Sequence, residues 1–193
     1  MSEETNNQSP TKEGGDTKEH AKADYKTGQD FLVKGDTTLA AHAFHNAMLG
    51  FQECGDEHGV ANAADKLADI CMNRQEYDQA LKHIETAYAI CEKEEDQQST
   101  ISLRQKIGTA KTGMKKYDEA LEIYFDLIDH YRGSLNPKGT VETMEKVAEV
   151  YQLLNNTAGA ADAYRTIASI HTNFKHKKVA QEYIDKADAL DKK

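Results

Sequence analysis

The sequence contains no tryptophan, only two prolines and three cysteines, and it is short of cations, with 24 Lys and Arg against 33 Asp and Glu. Each shortage excludes something. A formal charge of −9 opposes bulk contact with phosphate backbones, whose affinity comes largely from Lys and Arg neutralising phosphates, so no nucleic-acid partner is expected. No stretch approaches the ~18 apolar residues that cross a bilayer, and the opening MSEETNNQSPTKEGGDTKEH resembles no signal peptide. A cytoplasmic location without membrane insertion is therefore expected. Cys54, Cys71 and Cys91 are odd in number and lack CxxC spacing, which indicates neither a disulfide framework nor a zinc site. They read as small apolar residues in a reducing compartment. Clean apolar/polar alternation is missing throughout, so strands are not expected.

Residues 1–20 contain no Val, Ile, Leu, Phe or Tyr, and are expected to form a disordered acidic and polar tail, because they cannot bury enough apolar surface to offset chain entropy. From Ala21 the chain repeats itself every forty residues. Ala40, Ala80, Ala120 and Ala160 fall in register, as do the small residues Gly28, Ala68, Gly108 and Ala148 and the larger Phe44, Ile84, Tyr124 and Tyr164. Apolar residues three or four apart, such as Leu67, Cys71 and Met72, then Tyr77, Leu81, Ile84 and Tyr88, make each unit two half-buried helices. Segments such as CGDEHG and RGSLNPKGT supply the turns between units. The small column is read as facing room left by the alanine column, where two helices cross closely. Four such units, about 21–58, 59–98, 99–138 and 139–174, are followed by a capping helix within 175–193, with Val179, Tyr183, Ala187 and Leu190 in one stripe. One hairpin cannot bury its apolar face alone, so the units must stack.

These columns resemble the tetratricopeptide repeat. In the second unit the likeness is carried by Leu67, Ala68, Tyr77, Ala80, Ile84 and Ala87, and the other units repeat it, as through Gly28, Phe31, Gly35, Ala40, Phe44 and Ala47. The spacing of forty is that of the longer-repeat branch that includes kinesin light chains. The family's tryptophan is absent, and Lys111 stands where an aromatic is usual, which implies looser packing of the third unit. The resemblance implies an all-α fold, a right-handed α-solenoid of four helix hairpins plus the cap. It also implies a non-catalytic protein–protein interaction module, an adaptor or scaffold holding an extended or helical partner segment in a concave groove lined by the first helices.

On that reading the groove residues are Tyr25, Gln29 and Leu32; Asp65, Asp69 and Met72; Gln105, Lys106 and Thr109; and Glu142, Glu145 and Glu149. The partner is expected to bring Lys or Arg opposite the three glutamates, which share one helix face, and apolar anchors near Tyr25, Leu32 and Met72. Some family members clamp a partner's C-terminal carboxylate; here Tyr25 and Gln29 replace the Lys and Asn, and Asp65 and Asp69 would repel it. Two other uses of the fold stay open: a self-assembling structural protein, which would form homo-oligomers where an adaptor would stay a monomer, and a sensor closing on a small peptide. His42 and His45 are paired i, i+3 on an outward face without a third ligand nearby, so no metal is expected. No spacing matches a catalytic set, and neither enzyme activity nor a cofactor is expected.

Overall fold

The computed structural model describes residues 13–192. Among them lie nine helices: α1 (Glu13–Val33), α2 (Thr37–Glu53), α3 (Glu57–Asn73), α4 (Tyr77–Lys93), α5 (Gln97–Gly113), α6 (Tyr117–Gly133), α7 (Pro137–Leu153), α8 (Thr157–Asn173) and α9 (Lys177–Asp191). The helices α2 to α8 are each 17 residues long. The expected repeat boundaries at 58/59, 98/99 and 138/139 lie two residues inside α3, α5 and α7, and the one at 174/175 lies in the link before α9. The links show why the length is constant. Each contains one residue in the left-handed region, at Gly35, Gly55, Gln75, Glu95, Lys115, Leu135, Asn155 and Lys175, twenty residues apart every time. The next N–H then reaches back to the carbonyl five residues earlier, as from Asp36 N to Phe31 O at 2.9 Å and from His176 N to His171 O at 2.9 Å. This is the Schellman ending, which satisfies carbonyls that the helix leaves open.

The residue that closes one helix in this way also opens the next. Asp36, Asp56, Asp96, Asn136 and Asn156 accept from the amide three residues on at 2.9–3.1 Å. Glu76, Lys116 and His176 occupy the same place without a side-chain cap. Asp56 does most, because Lys18 Nζ also reaches its Oδ2 at 2.8 Å. The Lys18 hydrogen bond, and then the Gly59 amide, hold its carboxyl below the usual carboxylate range. A depressed folded-state pKa gives stability that is complete above the unfolded value of 3.8 and lost as pH falls through the folded one. Asp56→Ala is expected to cost about 1 kcal/mol at neutral pH, with the difference from the unaltered chain fading below about pH 4. Thermal melts at pH 7 and pH 3 check this; an equal loss at both would contradict it.

The described residues group into two compact units divided between Thr100 and Ile101. In the first unit Ala21, Ala47, Phe51, Val60 and Ala63 form one buried cluster, and Ala40, Phe44, Leu67 and Ile70 another. The second unit centres on Tyr124, Leu127, Met144, Val147, Val150 and Ile167.

The small column makes room for the large column rather than for the alanines. A Cβ on Gly28 would lie 2.9 Å from the Phe44 ring, and one on Gly108 would lie 2.6 Å from Tyr124 Cε1. Where the large residue is only Ile84, the small one is Ala68. The same trade recurs between units of the register: Gly59 meets Phe51 and Gly139 meets Tyr131, whereas Ser99 stands opposite Cys91. Lys111, in the place of an aromatic, crosses its hairpin to Glu119, Nζ to Oε2 at 2.6 Å.

The expectation of disorder over residues 1–20 is corrected for its second half. Helix α1 begins at Glu13, and residues 1–12 lie outside the described region. Residues 15, 16, 19 and 20 are exposed and need no apolar side chain; Lys18 ties this stretch to Asp56, and Ala21 is the first buried residue among those described.

Candidate functional site

The first helices carry the residues expected to bind. In the first unit Tyr25 and Leu32 are both half-buried against the Phe44 cluster, and the Tyr25 ring meets Phe44 edge-on at 5.2 Å. Burial, then the charge of Asp65, pushes the Tyr25 hydroxyl above its ordinary pKa. Gln29 is exposed and Met72 half-buried. Lys66 Nζ lies 3.9 Å from Asp65 Oδ2 and 4.0 Å from Asp69 Oδ2. The structure thus brings Tyr25 and Asp65, from α1 and α3, to one neighbourhood.

In the second unit Gln105 Nε2 donates to the Tyr131 hydroxyl at 3.0 Å, Lys106 is half-buried, and the exposed Thr109 hydroxyl donates to the Gln105 carbonyl at 3.0 Å. Glu142, Glu145 and Glu149 are all exposed on α7. They are not a bare acidic face. Lys138 Nζ stands 3.8 Å from Glu142, Lys146 Nζ 3.0 Å from Glu149, and Glu145 accepts a short hydrogen bond from the Tyr183 hydroxyl of α9. Burial and Glu145 raise the Tyr183 pKa strongly. The helix read only as a cap therefore stands beside α7 as a further first helix, and adds Tyr183 to this face.

A column of lysines was missed by the sequence reading, although the forty-residue register contains it. Lys26, Lys66, Lys106, Lys146 and Lys186 occupy one position on successive first helices. Where the second unit shows it in full, Lys186 Nζ sits 4.4 Å above the Tyr183 ring and 5.6 Å above Tyr164, a cation–π arrangement with the stem laid along the aromatic column. The Glu149 hydrogen bond raises the pKa of Lys146. Within each unit the first helices therefore carry acids and lysines side by side, Asp65, Lys66 and Asp69 in the first and Glu145, Lys146 and Glu149 in the second.

A separate concavity opens on the second-helix side of the second unit. It is a cleft of about 720 Å³ between the end of α6, the start of α7 and the length of α8, with Arg132, Leu135, Pro137, Arg165, Ile170 and Phe174 among its walls. None of the twelve expected groove residues lines it. Among the described residues no group of three or more His, Cys, Asp or Glu is placed to hold a metal ion, and no helix is long and apolar enough to cross a membrane.

The sequence profile of the tetratricopeptide repeat family matches residues 59–132, which run from α3 into α6. Residues 59–132 carry tetratricopeptide repeats. No curated protein sequence matches it. Among solved structures, the apo form of RapI superposes with a TM-score of 0.70 at 16% identity, over 87% of this chain and 47% of that one. This chain thus spans about half the length of RapI. A kinesin light chain protein of nearly identical TPR-like repeats from Podosopora anserina gives 0.62 at 12% identity, covering 90% of this chain and 96% of the other. Aspartyl phosphate phosphatase F from Bacillus subtilis gives 0.56 at 14%, covering 90% and 60%. At these identities the likeness is one of fold, a helical repeat.

Proposed function

We propose that these tetratricopeptide repeats form a non-catalytic adaptor that holds a segment of a partner protein on its first-helix faces. The observation that carries this reading is the contrast between columns. Positions that pack repeat from unit to unit, as Ala40, Ala80, Ala120 and Ala160 do, while the adjoining first-helix positions change, from Tyr25 to Asp65 to Gln105 to Glu145. Packing accounts for the constant column and leaves the variable one to recognition. Each unit offers its own surface. Tyr25, Leu32 and Met72 supply apolar contact in the first, and Glu142, Glu145 and Glu149 supply carboxylates in the second, toward a segment that carries Lys or Arg. Because Lys138, Lys146 and Tyr183 already engage those glutamates, charge here sets register and encounter rate more than affinity. The chemistry named in a neighbour's title, such as aspartyl phosphate hydrolysis, is not carried over, since the shared fold does not fix a shared reaction.

The test is a reversal of all three acids, Glu142→Lys, Glu145→Lys and Glu149→Lys, on a partner first identified by cross-linking and then titrated as a purified segment. At least about a tenfold loss of affinity, with the helical circular dichroism unchanged, is expected. Equal affinity for both proteins would overturn the assignment of this face.

A further inference from the structure

The two units follow one plan at a separation of eighty residues, so each position in the second has a counterpart in the first. In the first unit the start of α3 is tied to the end of α4 by one ion pair and one histidine–carboxylate contact. Lys93 Nζ bonds Glu57 Oε1 at 2.7 Å, and His58 Nδ1 meets Glu94 Oε2 at 2.9 Å. Eighty residues on, the counterparts are Asn173 with Pro137, and Phe174 with Lys138. Neither pair can bridge, because Pro137 and Phe174 carry no carboxylate. The edge that is tied across α3 and α4 is open across α7 and α8, and the cleft lies there. Other exchanges run in the same direction: Gln52 becomes Arg132, Gly55 becomes Leu135, and Glu85 becomes Arg165. Where the first unit has acids and a bare glycine, the second has apolar side chains and cations.

We propose that this cleft is a docking site for an acidic segment of another protein, which places a Leu, Ile or Phe side chain among Leu135, Ile170 and Phe174 and a carboxylate against Arg132. The apolar anchors are already exposed. Leu135 is 88% and Phe174 54% accessible, and Leu135 is held out from a link residue with φ of 52°. Leaving such side chains in water is unfavourable, and their burial is the main gain a partner could realise. Charge chooses the partner's sign. Among the described residues Arg132 has no carboxylate partner, and in the chain Phe174 is followed by Lys175 in the link and by Lys177 and Lys178 at the start of α9. Arg165 is committed to Asp162 and Asp191, so it shapes the wall and does not receive the ligand. In a chain of net charge −9, this cluster favours an acidic partner over a basic one. A volume of about 720 Å³ admits two or three side chains rather than a whole helix face.

The experiment is selection of phage-displayed random dodecapeptides on the full chain, followed by fluorescence anisotropy with a selected peptide. Enriched peptides are expected to share an aliphatic or aromatic residue flanked by Asp or Glu. Phe174→Glu and Arg132→Glu should each weaken binding at least about tenfold, with circular dichroism confirming that both variants remain folded. Peptides so selected should bind the chain with Glu142, Glu145 and Glu149 reversed as tightly as the unaltered one, which separates this surface from the first-helix reading. A basic consensus, binding indifferent to Phe174→Glu, or loss only on the glutamate reversal would overturn the proposal. So would sedimentation showing that the chain dimerises and that Phe174→Glu makes it monomeric, since the occupant would then be a second copy.

Discussion

Gly108→Ala is expected to lower the stability of the second unit by about 2 kcal/mol, a large effect for one methyl group. The added Cβ would lie 2.6 Å from Tyr124 Cε1, and Tyr124 is only 2% exposed, so its ring has nowhere to go. The repeat itself offers the compensating change. At the equivalent crossing in the first unit, Ala68 stands where Gly108 does and Ile84 where Tyr124 does. Tyr124→Ile alone opens a cavity and destabilises. Gly108→Ala with Tyr124→Ile recreates the earlier pair, and the double variant should be more stable than either single one. Urea midpoints of the four proteins measure the coupling, expected at about 1 kcal/mol or more. Strict additivity of the two losses would show that the columns are independent and that this account of the small residues is wrong.

The second large effect has the opposite sign. Six links place a residue other than glycine at positive φ, namely Gln75, Glu95, Lys115, Leu135, Asn155 and Lys175. An L-residue there costs about 1–2 kcal/mol, partly offset because glycine loses more freedom on folding. Glycine at each position should therefore gain about 0.5 kcal/mol, least at Asn155, whose side chain tolerates this conformation. The sites lie on different links, so the gains add, to about 3 kcal/mol and a rise of roughly 6 to 12 °C in Tm. Calorimetry on the sixfold variant decides the matter: an unchanged or lower Tm would mean that these side chains make contacts worth more than the strain.

The forty-residue register was legible because packing writes it into side chains: alanine at 80 and 120, a large residue at 84 and 124. The twenty-residue rhythm of the links was not, because the turn is made by backbone hydrogen bonds, and Gln75 or Lys115 does not announce a left-handed residue as Gly35 does. The first turns of α1 were hidden for a related reason, since a helix with no buried apolar residue described before Ala21 has no apolar period to read. Of the candidate groove, the first-helix positions could be named, but their partners could not. That Glu145 meets Tyr183, or that Gln105 meets Tyr131, depends on which helices lie side by side. The cleft was the least visible feature. It arises where Pro137 and Phe174 replace members of the ion pair and the histidine–carboxylate contact present eighty residues earlier, and a missing bridge has no motif.

A single residue that both ends one helix and begins the next leaves the chain no slack. Asp36, Asp56 and their successors are shared property, so a link cannot lose a residue without taking a terminus from one helix or the other. Adding one residue within a helix would rotate the rest of that helix by about 100° about its own axis, carrying its buried column into solvent. Change by one or two letters is thus confined to substitution, while gain or loss is admissible only in whole paragraphs of forty. Surfaces such as the first-helix face and the α6–α8 cleft can be rewritten freely within that meter, letter by letter, without the scaffold shifting beneath them.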